Sequence, residues 1–159
     1  MNPPECPFCW KIETVEEFGA SELVWRFPHS VALLGTWQFY QGYCILVSRR
    51  HAVELNDLPD EERRAYLDEM CQLAQAIQTG YRPHKLNYEL LGNQVRHLHW
   101  HLFPRYLDDP DRMRAVWMAV ERATIDEAWK RRMETGREER AVTAANLRKV
   151  LEQMGAPRA

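Results

Sequence analysis

The sequence predicts an α+β fold, with about five strands in one antiparallel sheet, helices packed on it and a helical C-terminal extension. Three observations support this prediction. Short segments rich in Val, Leu, Ile and aromatic residues are bounded by Pro, Gly or polar residues. One long segment has apolar residues at helical spacing, and the charged tail ends in a second helical pattern. With 159 residues, of which 45% are hydrophobic, the chain is long enough for one domain with a real core and a small appendage.

The first three strands are predicted at residues 23–27, 30–35 and 44–48. Pro28 is expected to lie in the turn between the first two strands. Residues 37–42 are expected to form a loop, in which Gly42 allows the turn into the third strand. This arrangement predicts consecutive strands that are close enough along the chain to pair antiparallel.

A helix is predicted to begin between Asp57 and Pro59, because acidic residues follow at once and favour the positive end of a helix. Apolar residues then recur at helical spacing, and Gly80 is the predicted C-terminal stop. Two more strands are predicted at residues 86–91 and 95–103. They are separated by Gly92 and Asn93, which predicts a hairpin-like pair with a short loop.

Residues 1–106 are assigned to the main domain and residues 107–159 to a helical extension of the same domain. Residues 141–154 carry apolar side chains at amphipathic spacing, which predicts a helix whose simplest role is packing or dimerisation. The pattern of residues 112–134 is ambiguous.

Composition excludes several classes of partner. Twenty-one basic residues against 23 acidic ones give a formal net charge of −2, so no overall basic field favours nucleic acid. The N-terminus has neither a charged start nor an apolar run, and no stretch approaches the ~18 apolar residues of a membrane span. We therefore expect a cytoplasmic protein that binds neither nucleic acid nor a membrane.

The most informative segment is residues 97–103, where three of the six histidines alternate with apolar residues. In a strand, His97, His99 and His101 would line one face, and the apolar residues between them would pack under the helix. The pattern alone leaves three interpretations open. They are a solvated polar face, a zinc site on the three histidines, and phosphoryl or nucleotidyl transfer through a histidine.

This segment resembles the signature of the histidine-triad family, His-φ-His-φ-His-φ-φ, in which φ is an apolar residue. Asn93-Gln94-Val95 resembles the polar step before the family's triad. Residues 42–51 resemble its strand segment that runs from Gly to His. The Cys6 and Cys9 pair resembles the N-terminal pair of the zinc-containing branch. The resemblance covers residues 5–106, and within the family it is nearest to the bacterial proteins called diadenosine tetraphosphate hydrolase-like.

The resemblance implies an antiparallel sheet with helices, usually in a homodimer, and a catalytic role for His99. As the middle histidine, His99 would attack the α-phosphate of a dinucleoside polyphosphate or nucleoside phosphoramidate, and water would resolve the nucleotidyl-histidine. Imidazole suits this role, because it is nucleophilic and largely neutral near pH 7. His101 is the candidate donor to the phosphate oxygens or the leaving group. Asn93 and Gln94 are candidates to orient the phosphate oxygens through their amides.

A Cys-x-x-Cys pair is a common half of a zinc site. The resemblance implies that Cys6, Cys9, His51 and His97 are the four ligands. Four protein ligands make a closed, structural site, which would hold His97 away from the chemistry and leave the middle histidine free. The alternative is a pair of reduced thiols with no metal.

Two positions depart from the family pattern. Tyr43 stands where many members have histidine, and it could donate a hydrogen bond or only pack. Gly35 stands where members commonly have an acidic or amide side chain that holds the ribose, which glycine cannot do. Trp37 could rebuild the nucleoside pocket by stacking on a base, or could be a core residue. Two other functions therefore stay open: a non-catalytic nucleotide- or phosphate-binding module, and a metal-dependent hydrolase with zinc on the triad.

Overall fold

The computed structural model describes residues 6–15 and 21–159, so predictions that fall on residues 1–5 and 16–20 lie outside the described residues. The strands of the described part are β1 (Leu23–Arg26), β2 (Ser30–Leu34), β3 (Cys44–Ser48), β4 (Lys85–Glu89) and β5 (His99–Arg105). The helices are α1 (Pro7–Thr14), α2 (Asp60–Tyr81), α3 (Val116–Arg122), α4 (Glu127–Glu134) and α5 (Arg140–Gln153). None of these helices combines the length and apolar character that crossing a bilayer needs.

The strands form one antiparallel sheet in the order β1-β2-β3-β5-β4, which confirms the predicted α+β class. The first three strands lie within one residue of their predicted ends. The histidine-bearing strand β5 is internal, because β3 pairs with one of its edges and β4 with the other. In this register His101 lies opposite Ile45 of β3 and Glu89 of β4.

Helix α2 covers one face of the sheet. Its buried residues include Tyr66, Leu73 and Ile77, which share one core with Leu98 and Leu102. Helix α5 joins the same core through its apolar side. The division of the chain at residue 106 stays a prediction, although the extension and the main domain share this core.

The predicted end of α2 at Gly80 is wrong by a short margin. The helix continues through Tyr81, and Arg82 then adopts a left-handed conformation with a φ of 47°. The Arg82 N–H donates to the carbonyl of Gln78, which closes the last turn. The helix stops here because Pro83 follows and cannot continue it, so proline rather than glycine decides the end.

The fourth and fifth strands pair antiparallel as predicted, but the predicted short loop at Gly92-Asn93 is wrong. Strand β4 ends at Glu89 and β5 begins at His99, so residues 90–98 form a longer loop. The reason is that Leu98 forms backbone hydrogen bonds with residues far away in the sequence. The Leu98 N–H donates to the carbonyl of Ala52, and the Ser48 N–H donates to the carbonyl of Leu98. These bonds hold Leu98 against the end of β3 and the segment that follows it.

The opposite face of the sheet is covered from two sides. Helix α1 packs on β2 and β3, where Ile12 and Val15 contact a patch that includes Leu33 and Val47. On the other side, α3 and α4 pack on a cluster that includes Tyr40, Tyr43 and Phe103. These two short helices fill the stretch that the sequence left ambiguous, and the predicted C-terminal helix is present as α5. The histidines of β5 lie on this face, between α1 and α3.

Candidate active site

Strand β5 places His99 and His101 two residues apart, and therefore on one face of the sheet. Their Nε2 atoms are 3.1 Å apart. The Nδ1 of His99 is 2.5 Å from the backbone oxygen of His97. Because a carbonyl oxygen only accepts, this Nδ1 carries the proton, and the Nε2 of neutral His99 keeps its lone pair. This Nε2 is the atom through which His99 would attack if it acts as the nucleophile that the sequence predicts.

The tautomer of His101 follows from its two neighbours. Only one proton fits between the two Nε2 atoms, and it belongs to His101, because His99 carries its proton on Nδ1. The Nδ1 of His101 therefore accepts from the Tyr43 hydroxyl at 2.7 Å. His101 thus presents an Nε2–H donor toward the Nε2 of His99.

Burial keeps this network neutral. It lowers the pKa of His101 to about 3, with a smaller contribution from His99. Burial also lowers the pKa of His99, against its hydrogen bond to the His97 carbonyl. It raises the pKa of the Tyr43 hydroxyl well above its ordinary value, so this group remains a donor. Near pH 7 the site therefore holds an uncharged His99 beside an uncharged donor.

Aromatic rings bound the histidine pair. The Phe8 ring lies over His99, with centroids 4.6 Å apart. The Trp117 ring meets His101 edge to face, with centroids 5.0 Å apart. His99 is only 6% exposed as a result. Sequence reasoning missed both rings. Phe8 had a signal, because it lies between the two cysteines of the metal motif, whereas Trp117 lies in the stretch whose pattern was ambiguous.

Gly35 and Tyr43, the two departures from the family pattern, are one structural feature. A Cβ added at Gly35 would lie 2.2 Å from Cε1 of Tyr43, so no side chain fits there while the ring keeps this position. The ring stacks on Phe103 with centroids 3.8 Å apart. Tyr43 therefore packs and also makes a hydrogen bond, and it occupies the volume that a side chain at position 35 would need.

His97 lies before β5 and not in the strand, which corrects the prediction that the three histidines line one strand face. Its Nε2 donates to the carbonyl of Ser48 at 2.8 Å. Its Nδ1 consequently carries the lone pair, and it lies 3.3 Å from Sγ of Cys6 and 3.5 Å from Sγ of Cys9. His97 is thus turned toward the cysteines, and only its backbone oxygen contacts His99.

Cys6, Cys9, His51 and His97 form the cluster that the sequence analysis expected. One ligand atom from each lies within 4.8 Å of all the others, and Cys9 Sγ is 3.4 Å from His51 Nδ1. In a tetrahedral zinc site, a bound nitrogen and a bound sulfur lie about 3.5 Å apart. Burial and the neighbouring Cys6 raise the pKa of the Cys9 thiol to about 12, so paired thiolates here require the charge of a cation. The residues fit a zinc ion.

The remaining predicted site residues are Asn93, Gln94 and Trp37. Asn93 and Gln94 are exposed in the loop of residues 90–98. Trp37 is half-buried and packs against the cluster that includes Tyr43 and Phe103. Packing of this kind agrees with a core role for Trp37, which was one of its two interpretations.

Three alternating histidines, two of them on an internal strand of such a sheet and the first just before it, place this chain in the class of histidine-triad proteins. The comparison with known families agrees, because the family model described as HIT domain matches residues 19–108. The chain belongs to the HIT family.

Among curated proteins, the chain is 29% identical over 102 residues to "Protein hit" of Bacillus subtilis, covering 61% of this chain and 70% of that one. It is 26% identical over 117 residues to the adenosine 5'-monophosphoramidase HNT1 of Saccharomyces cerevisiae, covering 73% of this chain and 72% of the relative.

The solved structures that resemble this chain include histidine triad proteins. A histidine triad protein from Bradyrhizobium japonicum is 28% identical with a TM-score of 0.57, over 70% of this chain and 89% of that one. A Zn-bound histidine triad family protein from Mycobacterium smegmatis, 19% identical, has a TM-score of 0.64 over 95% of this chain and 96% of its own. The second likeness concerns the fold alone, and its coverage of this chain includes the extension.

Proposed function

We propose that this protein is a nucleotidyl hydrolase or transferase in which His99 is the nucleophile. Its Nε2 attacks the α-phosphate, the bond from phosphorus to the leaving group breaks, and water then resolves the nucleotidyl-histidine. The observation that carries the proposal is the hydrogen bond from Nδ1 of His99 to the His97 carbonyl, which leaves Nε2 with its lone pair. Phosphoryl transfer needs mostly positioning and charge stabilisation, and both are available here.

His101 supplies the donor of the proposed reaction. In the structure its Nε2–H faces the Nε2 of His99 at 3.1 Å. When a phosphate enters between them, the same N–H donates to a phosphate oxygen or to the leaving group. A neutral donor is sufficient, because the charge to be stabilised lies on oxygen atoms in a buried site.

The proposed substrate is a dinucleoside polyphosphate or a nucleoside phosphoramidate. Support comes from the yeast relative, which is named an adenosine 5'-monophosphoramidase. Asn93 and Gln94 are proposed to reach the phosphate from the loop before β5, and Trp37 to border the nucleoside. The ring of Tyr43 over Gly35 leaves no side chain there to hold a ribose, so the nucleoside is expected to be held differently in this chain. The diadenosine tetraphosphate hydrolase-like branch is one candidate for this activity.

A structural zinc ion is proposed on Cys6, Cys9, His51 and His97. When bound, it would cross-link the N-terminal end of α1 to the segment after β3, which carries His51, and to the segment before β5, which carries His97. It would leave no open position for substrate. His97 turns toward the cysteines, so the three triad histidines do not converge on one point. This geometry favours the Cys/His cluster over the alternative of a catalytic zinc on the triad.

A homodimer in the cytoplasm, with a small phosphate compound as its partner, stays a prediction of the resemblance and the sequence. Light scattering on the purified protein measures the oligomeric state directly.

The enzyme and the binding module are separated by a small substrate panel. We expect the wild-type protein, without added metal, to turn over at least one of a diadenosine polyphosphate, an adenosine phosphoramidate and a nucleotide sugar. Tight binding of these compounds by a folded protein with no turnover would identify a binding module and contradict the proposal.

Replacing Tyr43 by phenylalanine is expected to lower kcat about 10-fold with little change in KM. The ring would still fill the space over Gly35, but Nδ1 of His101 would lose its donor and the imidazole could take the other tautomer. Steady-state kinetics on the panel compound that wild type turns over measure this.

Tyr66→Phe is the matched control for this experiment. Its hydroxyl is also buried and donates to the carbonyl of Leu46 at 3.0 Å, but it lies in the core shared with α2, on the other side of the sheet. Each variant loses a hydrogen bond worth about 1 kcal/mol of stability. Equal kcat values for the two variants would show that the Tyr43 hydroxyl does not act on His101.

A further inference from the structure

The C-terminal extension reaches into the histidine site. The segment that matches the HIT domain ends at residue 108, and α3 begins at Val116. Trp117 on this helix places its ring against His101 at an interplanar angle of 81°, and against Phe103 with centroids 5.7 Å apart. Trp117, a residue from outside the matched segment, therefore packs directly against His101, the proposed donor.

The indole of Trp117 makes a hydrogen bond in addition to its ring contacts with His101 and Phe103. Its Nε1 donates to the carboxylate of Glu89 on β4. Glu89 is the register partner of His101, and residues that pair directly lie on the same face of a sheet. The indole thus engages a carboxylate that would otherwise be free to turn toward the imidazole or to repel a phosphate.

The segment that leads into α3 is fixed on β5 itself. Arg105 lies four residues after His101 on β5 and is 2% exposed. Its guanidinium donates to the carboxylate of Asp109 at 2.8 Å, to the carbonyl of Asp111 at 2.6 Å and to the carbonyl of Arg114 at 2.9 Å. A buried, multiply bonded guanidinium sets the position of this segment relative to the strand. The strand that carries the histidines therefore also sets where Trp117 lies.

We propose that Trp117 is a positioning residue: together with Tyr43, it holds His101 in the orientation in which Nε2–H faces Nε2 of His99. Tyr43 fixes the tautomer through Nδ1, and Trp117 fixes the plane of the ring from the side of the extension. The consequence for catalysis rests on the proposed function, whereas the consequence for His101 itself does not.

The test compares Trp117→Ala and Trp117→Leu with Trp117→Phe, and uses Trp129→Phe as the matched control. Trp129 lies on α4 and its Nε1 also donates within the extension, to the carbonyl of Ala119 at 2.8 Å, but no ring contact joins it to the described histidines. Trp117→Leu keeps apolar volume under α3, so it supplies a folded variant should the alanine variant unfold. For each protein, the nitrogen chemical shifts of the His101 imidazole and the values of kcat and KM are measured.

We expect Trp117→Ala and Trp117→Leu to lose the single Nε2–H signature of His101 and to lower kcat about 10-fold at nearly constant KM. Trp117→Phe should restore kcat to within about threefold, because a ring again packs on the imidazole. Trp129→Phe should resemble wild type in both measurements.

The two measurements separate this inference from the proposed function. Unchanged His101 shifts and an unchanged kcat in folded Trp117→Leu would overturn the positioning role while leaving His99 as the nucleophile. Shifts that change in Trp117→Leu but not in Trp129→Phe, in a protein without turnover on the panel, would support the positioning role and contradict the proposed function.

Discussion

Replacing His99 by alanine is expected to abolish turnover while leaving the protein folded. Without the imidazole no nucleotidyl-histidine can form, so we expect kcat to fall about 1,000-fold or more, which corresponds to about 4 kcal/mol of the barrier. The structural loss is smaller: one hydrogen bond to the His97 carbonyl and the contact with Phe8. Turnover assays, together with circular dichroism and thermal melts, measure the two effects separately.

His84→Ala is the matched control for this prediction, because His84 is exposed in the turn after α2. It should keep wild-type turnover and stability. Retained activity in a folded His99→Ala protein would remove His99 as the nucleophile. The hydrogen-bond network would then describe a binding site only, and the binding module would become the better account.

Replacing Cys9 by serine is expected to remove zinc from the protein and to lower its thermal stability. A structural zinc ion contributes free energy on the scale of a whole domain's stability, and the loss of one thiolate weakens it sharply. If about 3 kcal/mol is lost to the fold, the melting temperature should fall by about 10 °C. Metal analysis of the purified protein and a melting curve measure both effects.

The consequence of Cys9→Ser should extend to the histidines. Helix α1 carries Phe8, whose ring lies on His99, and the cluster also holds His97, whose carbonyl accepts a hydrogen bond from His99, the proposed nucleophile. We therefore expect lower turnover in parallel with the loss of zinc.

Cys71→Ser, at an exposed cysteine of α2, should change neither metal content nor stability. A full equivalent of zinc in Cys9→Ser would exclude Cys9 as a ligand. Inhibition of the wild type by a chelator without any loss of fold would favour a metal on the triad instead.

Local patterns predicted the elements whose partners are close along the chain. Strands β1, β2 and β3 and helix α2 follow from short apolar segments and from helical spacing, and the structure places them almost as expected. The loop of residues 90–98 could not be predicted in this way. Leu98 continues the apolar alternation of β5, but its N–H donates to the carbonyl of Ala52, a residue far away in the sequence.

The candidate site divides in the same way. Cys6, Cys9, His51 and His97 were expected from a family pattern, and the structure brings their ligand atoms together. The steric relation between Gly35 and Tyr43 could not be predicted from the neighbouring residues in the sequence, since it depends on where the Tyr43 ring lies in the folded protein. The position of Trp117 could not be predicted in this way either, because its helix is short and its place is set by Arg105 on another element.

The most direct test of the central claim is to look for the covalent intermediate itself. Wild-type protein is mixed with a substrate that it turns over, quenched within one turnover, digested and analysed by mass spectrometry under conditions that preserve a phosphorus–nitrogen bond. The account predicts a nucleotide mass on the peptide that contains residues 97–103, located on His99 and absent in His99→Ala. The substrate is chosen so that its leaving group is released faster than the intermediate is hydrolysed. With such a substrate, an unmodified peptide during turnover would contradict the account. A nucleotide on another residue would contradict it too.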